Sequence, residues 1–158
     1  MFAMPSKHSS VRIANHWPKI LVLCGLVLLA VLVLLLKNQP EPMPDLSAHA
    51  PEAQLDWYLE HYQPVFVFFH STTCKTCTDM MAVVDQVYPE FEGQVGLVDV
   101  NVYHSWNEDL LRRARITNIP TQVFINKKGE GKTMIGGMQS EELRAELQAL
   151  VGGQTRGD

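Results

Sequence analysis

No aspartate or glutamate occurs before Glu41, although the chain of 158 residues carries 17 of them. The first forty residues hold cations only, Lys7, Arg12, Lys19 and Lys37. From Asn38 onward nine cations face 17 anions, a net charge of −8. So acidic a region has no basic face with which to neutralise phosphates, and this sets nucleic acid aside. Its one short basic cluster, Arg112-Arg113-x-Arg115, reads as a solvated helix end. Cysteine is equally scarce, at three: Cys24, Cys74 and Cys77. Three cysteines do not make a disulfide framework. Cys24 lies inside an apolar run and reads as an inert small residue. There is no internal repeat and no low-complexity stretch beyond a few closely spaced prolines. A hydrophobic fraction of 46% is enough for one ordinary core, and the length suits one domain with a little to spare.

Charge and apolarity are unevenly placed. Ile20 to Leu36 is an uncharged apolar run that Lys37 closes, about 26 Å long as a helix and at the short end of what spans a bilayer. Trp17, Lys19 and Lys37 flank it as interfacial anchors. The apolar core of a cleaved signal peptide is shorter, and the small-x-small sequence Ala48-His49-Ala50 lies far downstream and precedes Pro51. An uncleaved signal anchor is therefore the expectation. With cations before the span, the positive-inside rule puts residues 1–19 in the cytoplasm and everything beyond Lys37 outside it. The expected organisation is a cytoplasmic segment 1–19, a transmembrane anchor 20–36, a proline-rich linker 37–50, a folded domain 51–151 and a flexible tail 152–158.

Pro40, Pro42 and Pro44 make Asn38–Leu46 a stiff, extended spacer. Pro51 suits the first turn of a helix whose face carries Leu55, Tyr58, Leu59 and Tyr62, ended by Pro64. Val65–Phe69 is apolar on both faces and so predicts a central strand. A helix follows from Cys74 to about Tyr88, with Cys77, Met80 or Met81, Val84, Val87 and Tyr88 inward. Gln94–Val102 alternates as a strand, and Asn107–Arg115 is a short helix with Leu110, Leu111 and Ala114 inward. Thr121–Asn126 and Lys132–Ile135 flank a Lys-Lys-Gly-Glu turn as a hairpin. Ser140 is the expected N-cap of a last helix that buries Leu143, Leu147, Leu150 and Val151. Trp57 and Trp106 read as partly buried surface aromatics. The order α-β-α-β-α-β-β-α predicts an α/β fold with a mixed sheet flanked by helices, parallel in its strand–helix part and with the hairpin as an antiparallel edge.

Chemistry concentrates at Cys74-Lys75-Thr76-Cys77. The first turn of a helix offers unpaired N–H groups and the positive end of the dipole, so a thiolate at Cys74 is stabilised, with Lys75 beside it. Cys77 lies about one turn on, on the same face. Cys74 is thus the expected nucleophile in thiol–disulfide exchange, and Cys77 the resolving thiol that displaces the product from the mixed disulfide.

A strand, a CxxC opening the next helix and Ile119-Pro120-Thr121 before the hairpin together resemble the thioredoxin family over about residues 51–151. The resemblance implies a thioredoxin-like fold, protein disulfides as substrates, and a cis Ile119–Pro120 bond whose backbone meets the bound peptide. It implies no cofactor beyond the Cys74–Cys77 disulfide itself. Three positions depart from thioredoxin: Phe68 replaces its buried aspartate, Thr73 its tryptophan, and Lys75-Thr76 its Gly-Pro. These departures and the anchor argue against a general cytoplasmic thioredoxin. They are closer to an anchored, monomeric extracytoplasmic relative that reduces protein disulfides with electrons from a membrane donor. A disulfide-forming oxidant is the alternative direction. Two other readings stay open: a Cu(I)- or Zn(II)-binding module using the same cysteines, for which His70 would be the nearest extra ligand, and a non-catalytic scaffold. His70 itself stands where the family often has an aromatic residue. It reads as packing, with tuning of the Cys74 thiol as its second role.

Overall fold

The computed structural model describes residues 17–37 and 44–155, with side chains in the first helix described for residues 21–33. The chain divides into two units, Met1–Glu41 and Pro42–Asp158. The first contains helix α1, Trp17–Lys37. Among the described residues no helix is long and apolar enough to cross a membrane. The expected span Ile20–Leu36 lies partly outside the residues whose side chains are described, as do segment 1–19 and most of the proline spacer.

In the second unit β1 (Val65–His70) is buried along its whole length. A strand apolar on both faces is stable only inside a sheet covered on both sides. The four strands lie in the order β2-β1-β3-β4, with β2 at Gly96–Asn101, β3 at Thr121–Ile125 and β4 at Gly131–Ile135. β2 is parallel to β1, while β3 is antiparallel to both β1 and β4. Alternation along β1 then builds two cores. Phe66 and Phe68 point to the face covered by α3 (Lys75–Val87) and α5 (Ser140–Val151), among Phe124, Met80, Val84, Leu143 and Leu147. Val65, Val67 and Phe69 point to the other face, with Leu55 and Tyr58 of α2 (Pro51–Glu60) and Leu110 of α4 (Glu108–Ala114). Each such side chain contributes about 1.5–3 kcal/mol by leaving water.

Helix length decides the strand directions. The 13 residues of α3 rise about 20 Å, enough to carry the chain back along the sheet so that β2 starts beside the start of β1. The 7 residues of α4 rise only about 10 Å. The chain therefore stays at the end where β2 finished, and β3 enters from there, antiparallel to β1. The hairpin is accordingly not just an edge: its first strand is interior, and Phe69 pairs with Thr121. This register brings the loop after β1 and the loop before β3 side by side.

Local details correct several expectations. Helix α2 stops at Glu60, before Pro64, because Tyr62 turns to a left-handed conformation (φ 53°) and points into solvent. Gln139, not Ser140, is the N-cap of α5, and the Ser140 hydroxyl donates to Gln86 Oε1 at 3.0 Å. Ala114, Val151 and Trp106 are exposed. A short 3₁₀ turn, Ser105–Asn107, precedes α4, and buried Asn107 donates to the Asn101 carbonyl at 2.9 Å. The Arg cluster is not merely solvated. Arg113 reaches Asp56 (2.5 Å) and Glu52 (3.3 Å), tying α4 to α2. The last residues of the spacer are also engaged, with Leu46 packed against the second core.

Candidate active site

The strand β1 ends at His70, and four residues later Cys74 caps α3 with extended backbone (φ −97°, ψ 119°). The turn between them is held locally. The Ser71 hydroxyl accepts from the Thr73 N–H at 3.1 Å and bonds the Thr73 hydroxyl at 2.9 Å. Cys74 Sγ accepts from the Cys77 N–H at 3.3 Å, as a capping side chain does. Both cysteines are free thiols.

The two sulfurs have opposite environments. Cys74 is partly exposed, and the Cys77 thiol, the Cys77 N–H and the Thr76 N–H hold its pKa below the ordinary thiol value. Cys77 is wholly buried, and burial, followed by the Cys74 sulfur beside it, pushes its thiol up to about 11. The Ser71 N–H faces this sulfur and pulls weakly the other way. Cys74 is thus the more readily ionised of the two thiols.

Lys75, beside Cys74 in the sequence, is engaged on the exposed side of α3. Its Nζ donates to both carboxylate oxygens of Asp79 one turn on, at 2.5 and 2.8 Å, in solvent. His70 is buried and stacked on Phe68 at 4.8 Å, and its Nε2 bonds Asp99 of β2. Nothing marked Asp99 in the sequence beyond its polar place in an alternating strand.

The Ile119–Pro120 peptide bond is cis. The Pro120 carbonyl accepts from the Gly136 N–H at 2.8 Å, and a Cβ on the adjacent Gly137 would touch Thr76 at 3.4 Å. Pro120, Gly136-Gly137 and the dipeptide between the cysteines therefore form one neighbourhood, built from two loops and the first turn of α3. Met138, which follows, donates its N–H to Met80 Sδ at 3.4 Å. Among the described residues no three His, Cys, Asp or Glu side chains converge as a metal ion would require. A cavity of about 710 Å³ lies elsewhere: Asp45, His49, Tyr58, Tyr88, Glu92 and Asp99 line it, and neither cysteine does. Disulfide exchange needs a reachable sulfur rather than an enclosed pocket.

Fold and site together define a thioredoxin-like protein. Residues 51–150 match the family model of the thioredoxin-like domain, and the chain belongs to that family. Its members are generally thiol–disulfide oxidoreductases. Among solved structures it is similar to chloroplastic thioredoxin z, at 25% identity and a TM-score of 0.55 over 64% of this chain and 90% of that one. Two more share the fold. One is the germline-specific thioredoxin Deadhead of Drosophila melanogaster (18% identity, TM-score 0.51, 61% of this chain and 90% of that one). The other is dsbF of MTB (20% identity, TM-score 0.50, 56% of this chain and 81% of that one).

Proposed function

We propose that this protein is a membrane-anchored thiol–disulfide oxidoreductase that reduces protein disulfides outside the cytoplasm. The observation that carries the reading is the division between the cysteines: Cys74 partly exposed with its thiol pKa lowered, Cys77 buried with its thiol pushed to about 11. The Cys74 thiolate attacks a substrate disulfide and forms a mixed disulfide. Cys77 then attacks the Cys74 sulfur, the substrate leaves as a thiolate, and a Cys74–Cys77 disulfide remains. Backbone at Ile119–Pro120 is the surface for the substrate peptide. The redox pair is the protein's own, so no separate cofactor takes part. A membrane protein that passes electrons outward re-reduces the pair, and the protein works as a monomer.

Support for the anchor is the uncharged Ile20–Leu36 run within a helix of 21 residues, whose described side chains, 21–33, are apolar or small and all exposed. An unbroken exposed apolar surface of this kind is one that lipid covers. The absence of acids and the presence of Lys7, Arg12 and Lys19 before it orient the chain with residues 1–19 in the cytoplasm and the domain on the periplasmic or other extracytoplasmic side.

The reduction potential of the Cys74/Cys77 pair, equilibrated against glutathione or dithiothreitol, tests the direction. A value near that of thioredoxin, about −270 mV, supports a reductase. A value near about −120 mV would make the protein a disulfide-forming oxidant. Cys74→Ser should abolish exchange and Cys77→Ser should accumulate mixed disulfides, whereas a fully active Cys74→Ser protein would end the mechanism.

A further inference from the structure

We propose that the cavity beside β2 is a binding site for an alkylammonium ligand, either a free polyamine or the lysine side chains of a partner polypeptide. Neither cysteine lines this cavity, and the inference does not depend on the oxidoreductase reading.

β2 is the last strand on its side of the sheet, with no strand beyond it among the described residues. The cavity follows that edge and takes its walls from both faces of the sheet. Leu46 and Tyr58 belong to the core under α2, whereas Tyr88 and Leu97 pack against the core under α3 and α5. Its volume of about 710 Å³ falls within the range of about 300–1,000 Å³ usual for small-molecule sites.

Three carboxylates, Asp45, Glu92 and Asp99, line the cavity, and no lysine or arginine does. Acids just outside it are already neutralised. Glu52 and Asp56 share Arg113, and Glu90 is held by Arg144. Among the described residues Asp45 and Glu92 have no cationic partner, and Asp99 has only His70. Asp45 is also fixed in place, its Oδ1 accepting from the Ser47 N–H at 2.9 Å.

Tyr58 makes the cavity more than an acidic surface. It is only 6% exposed, and the hydroxyl-bearing end of its ring lies over Gly96, where no Cβ intervenes. It lines the cavity, and its hydroxyl has no hydrogen-bond partner among the described residues. Burial, followed by the Asp45 charge, raises its pKa, so it stays a neutral phenol. An interior hydroxyl without a partner costs free energy, and a ligand that donates to it removes that cost. Tyr88, also in the cavity wall, donates its hydroxyl hydrogen to the Val95 carbonyl at 2.9 Å, so its oxygen is left only to accept.

These groups together define the ligand. All of them accept hydrogen bonds, and an ammonium group offers three donors and no acceptor. Among the described residues the acids do not converge in threes as a metal ion would require. The charge to be met is instead spread along the cavity, as in a chain that carries several ammonium groups. Leu46 and Leu97 supply apolar wall for the methylenes between them.

The test is calorimetric titration of the full chain in non-ionic detergent with spermidine and, separately, with pentalysine. Saturable binding of one equivalent is expected. Asp45→Asn with Glu92→Gln should weaken it by about tenfold or more, as for lost hydrogen bonds to charged groups. Tyr58→Phe, which keeps the ring and removes only the hydroxyl, should weaken it by roughly two- to tenfold. Glu141→Gln, at the exposed start of α5 and outside the cavity, should leave the affinity unchanged. Tighter binding of spermidine identifies a free polyamine as the source, and tighter binding of pentalysine a lysine-bearing partner. No saturable binding of either probe would overturn the site. So would equal weakening by Glu141→Gln and by the cavity variants, which would mean diffuse attraction to an acidic domain, or an affinity that the cavity variants leave unchanged.

Discussion

Alkylation of the reduced protein should discriminate sharply between two cysteines only three residues apart. Cys74 lies below the ordinary thiol value of 9.0 and Cys77 at about 11, a gap of more than two pH units. Between pH 7 and 8 the thiolate fraction at Cys74 therefore exceeds that at Cys77 by more than about 100-fold. Nucleophilicity falls with pKa, with a Brønsted slope of about 0.4–0.5, and this returns roughly a factor of ten to Cys77. Ionisation alone then leaves Cys74 faster by at least about tenfold. The complete burial of Cys77 widens the margin further. The sequence provides the assay, because trypsin cuts after Lys75 and places the two cysteines on separate peptides. Brief iodoacetamide treatment of the Cys24→Ser protein at pH 7.5, a quench and mass spectrometry give both rates. With rising pH the Cys77 rate should climb until about pH 11, long after the Cys74 rate has levelled. Equal labelling at pH 7.5, or Cys77 labelled first, would refute the division of roles.

Two further expectations concern the scaffold. In Gly96→Ala the new Cβ would lie 2.3, 2.4 and 2.7 Å from ring atoms of the buried Tyr58, so the ring or the helix α2 that carries it must shift. A loss of about 1–3 kcal/mol is expected in urea unfolding, and an unchanged midpoint would show that the ring moves freely. In Lys132→Met the carboxylate of Glu146, 4% exposed, loses a partner 3.0 Å away. The expected cost is about 3–5 kcal/mol. Lys132→Met with Glu146→Leu should recover most of it, and failure to recover would mean that lost packing, not the stranded charge, is responsible.

Much of this protein can be read from residue order, because the relevant forces are local or periodic. The unbroken apolar run Val65–Phe69 has no stable place except a sheet interior, and β1 is indeed buried throughout. The CxxC spacing places Cys74 at a helix start and Cys77 one turn in, since helical pitch is a property of the backbone alone. Ends of elements were less legible. Whether Tyr62 continues a helix or turns to φ 53° depends on how the chain must enter β1, not on its apolar character.

What only the tertiary structure decided is which partner each functional side chain meets. Lys75 is next to Cys74 in the chain, yet its ammonium group bonds Asp79, because exposed i,i+4 partners on a helix lie closer than the cap. His70 and Asp99 are 29 residues apart, and the parallel register of β1 and β2 brings them together. Pro120 reaches the cysteine loop because a short α4 keeps the chain at one end of the sheet, and Phe69 pairs with Thr121. The sequence alone determined the reactive motif and the alternation of elements. Burial of one sulfur and partial exposure of the other follow from strand register and helix packing, which no local pattern encodes.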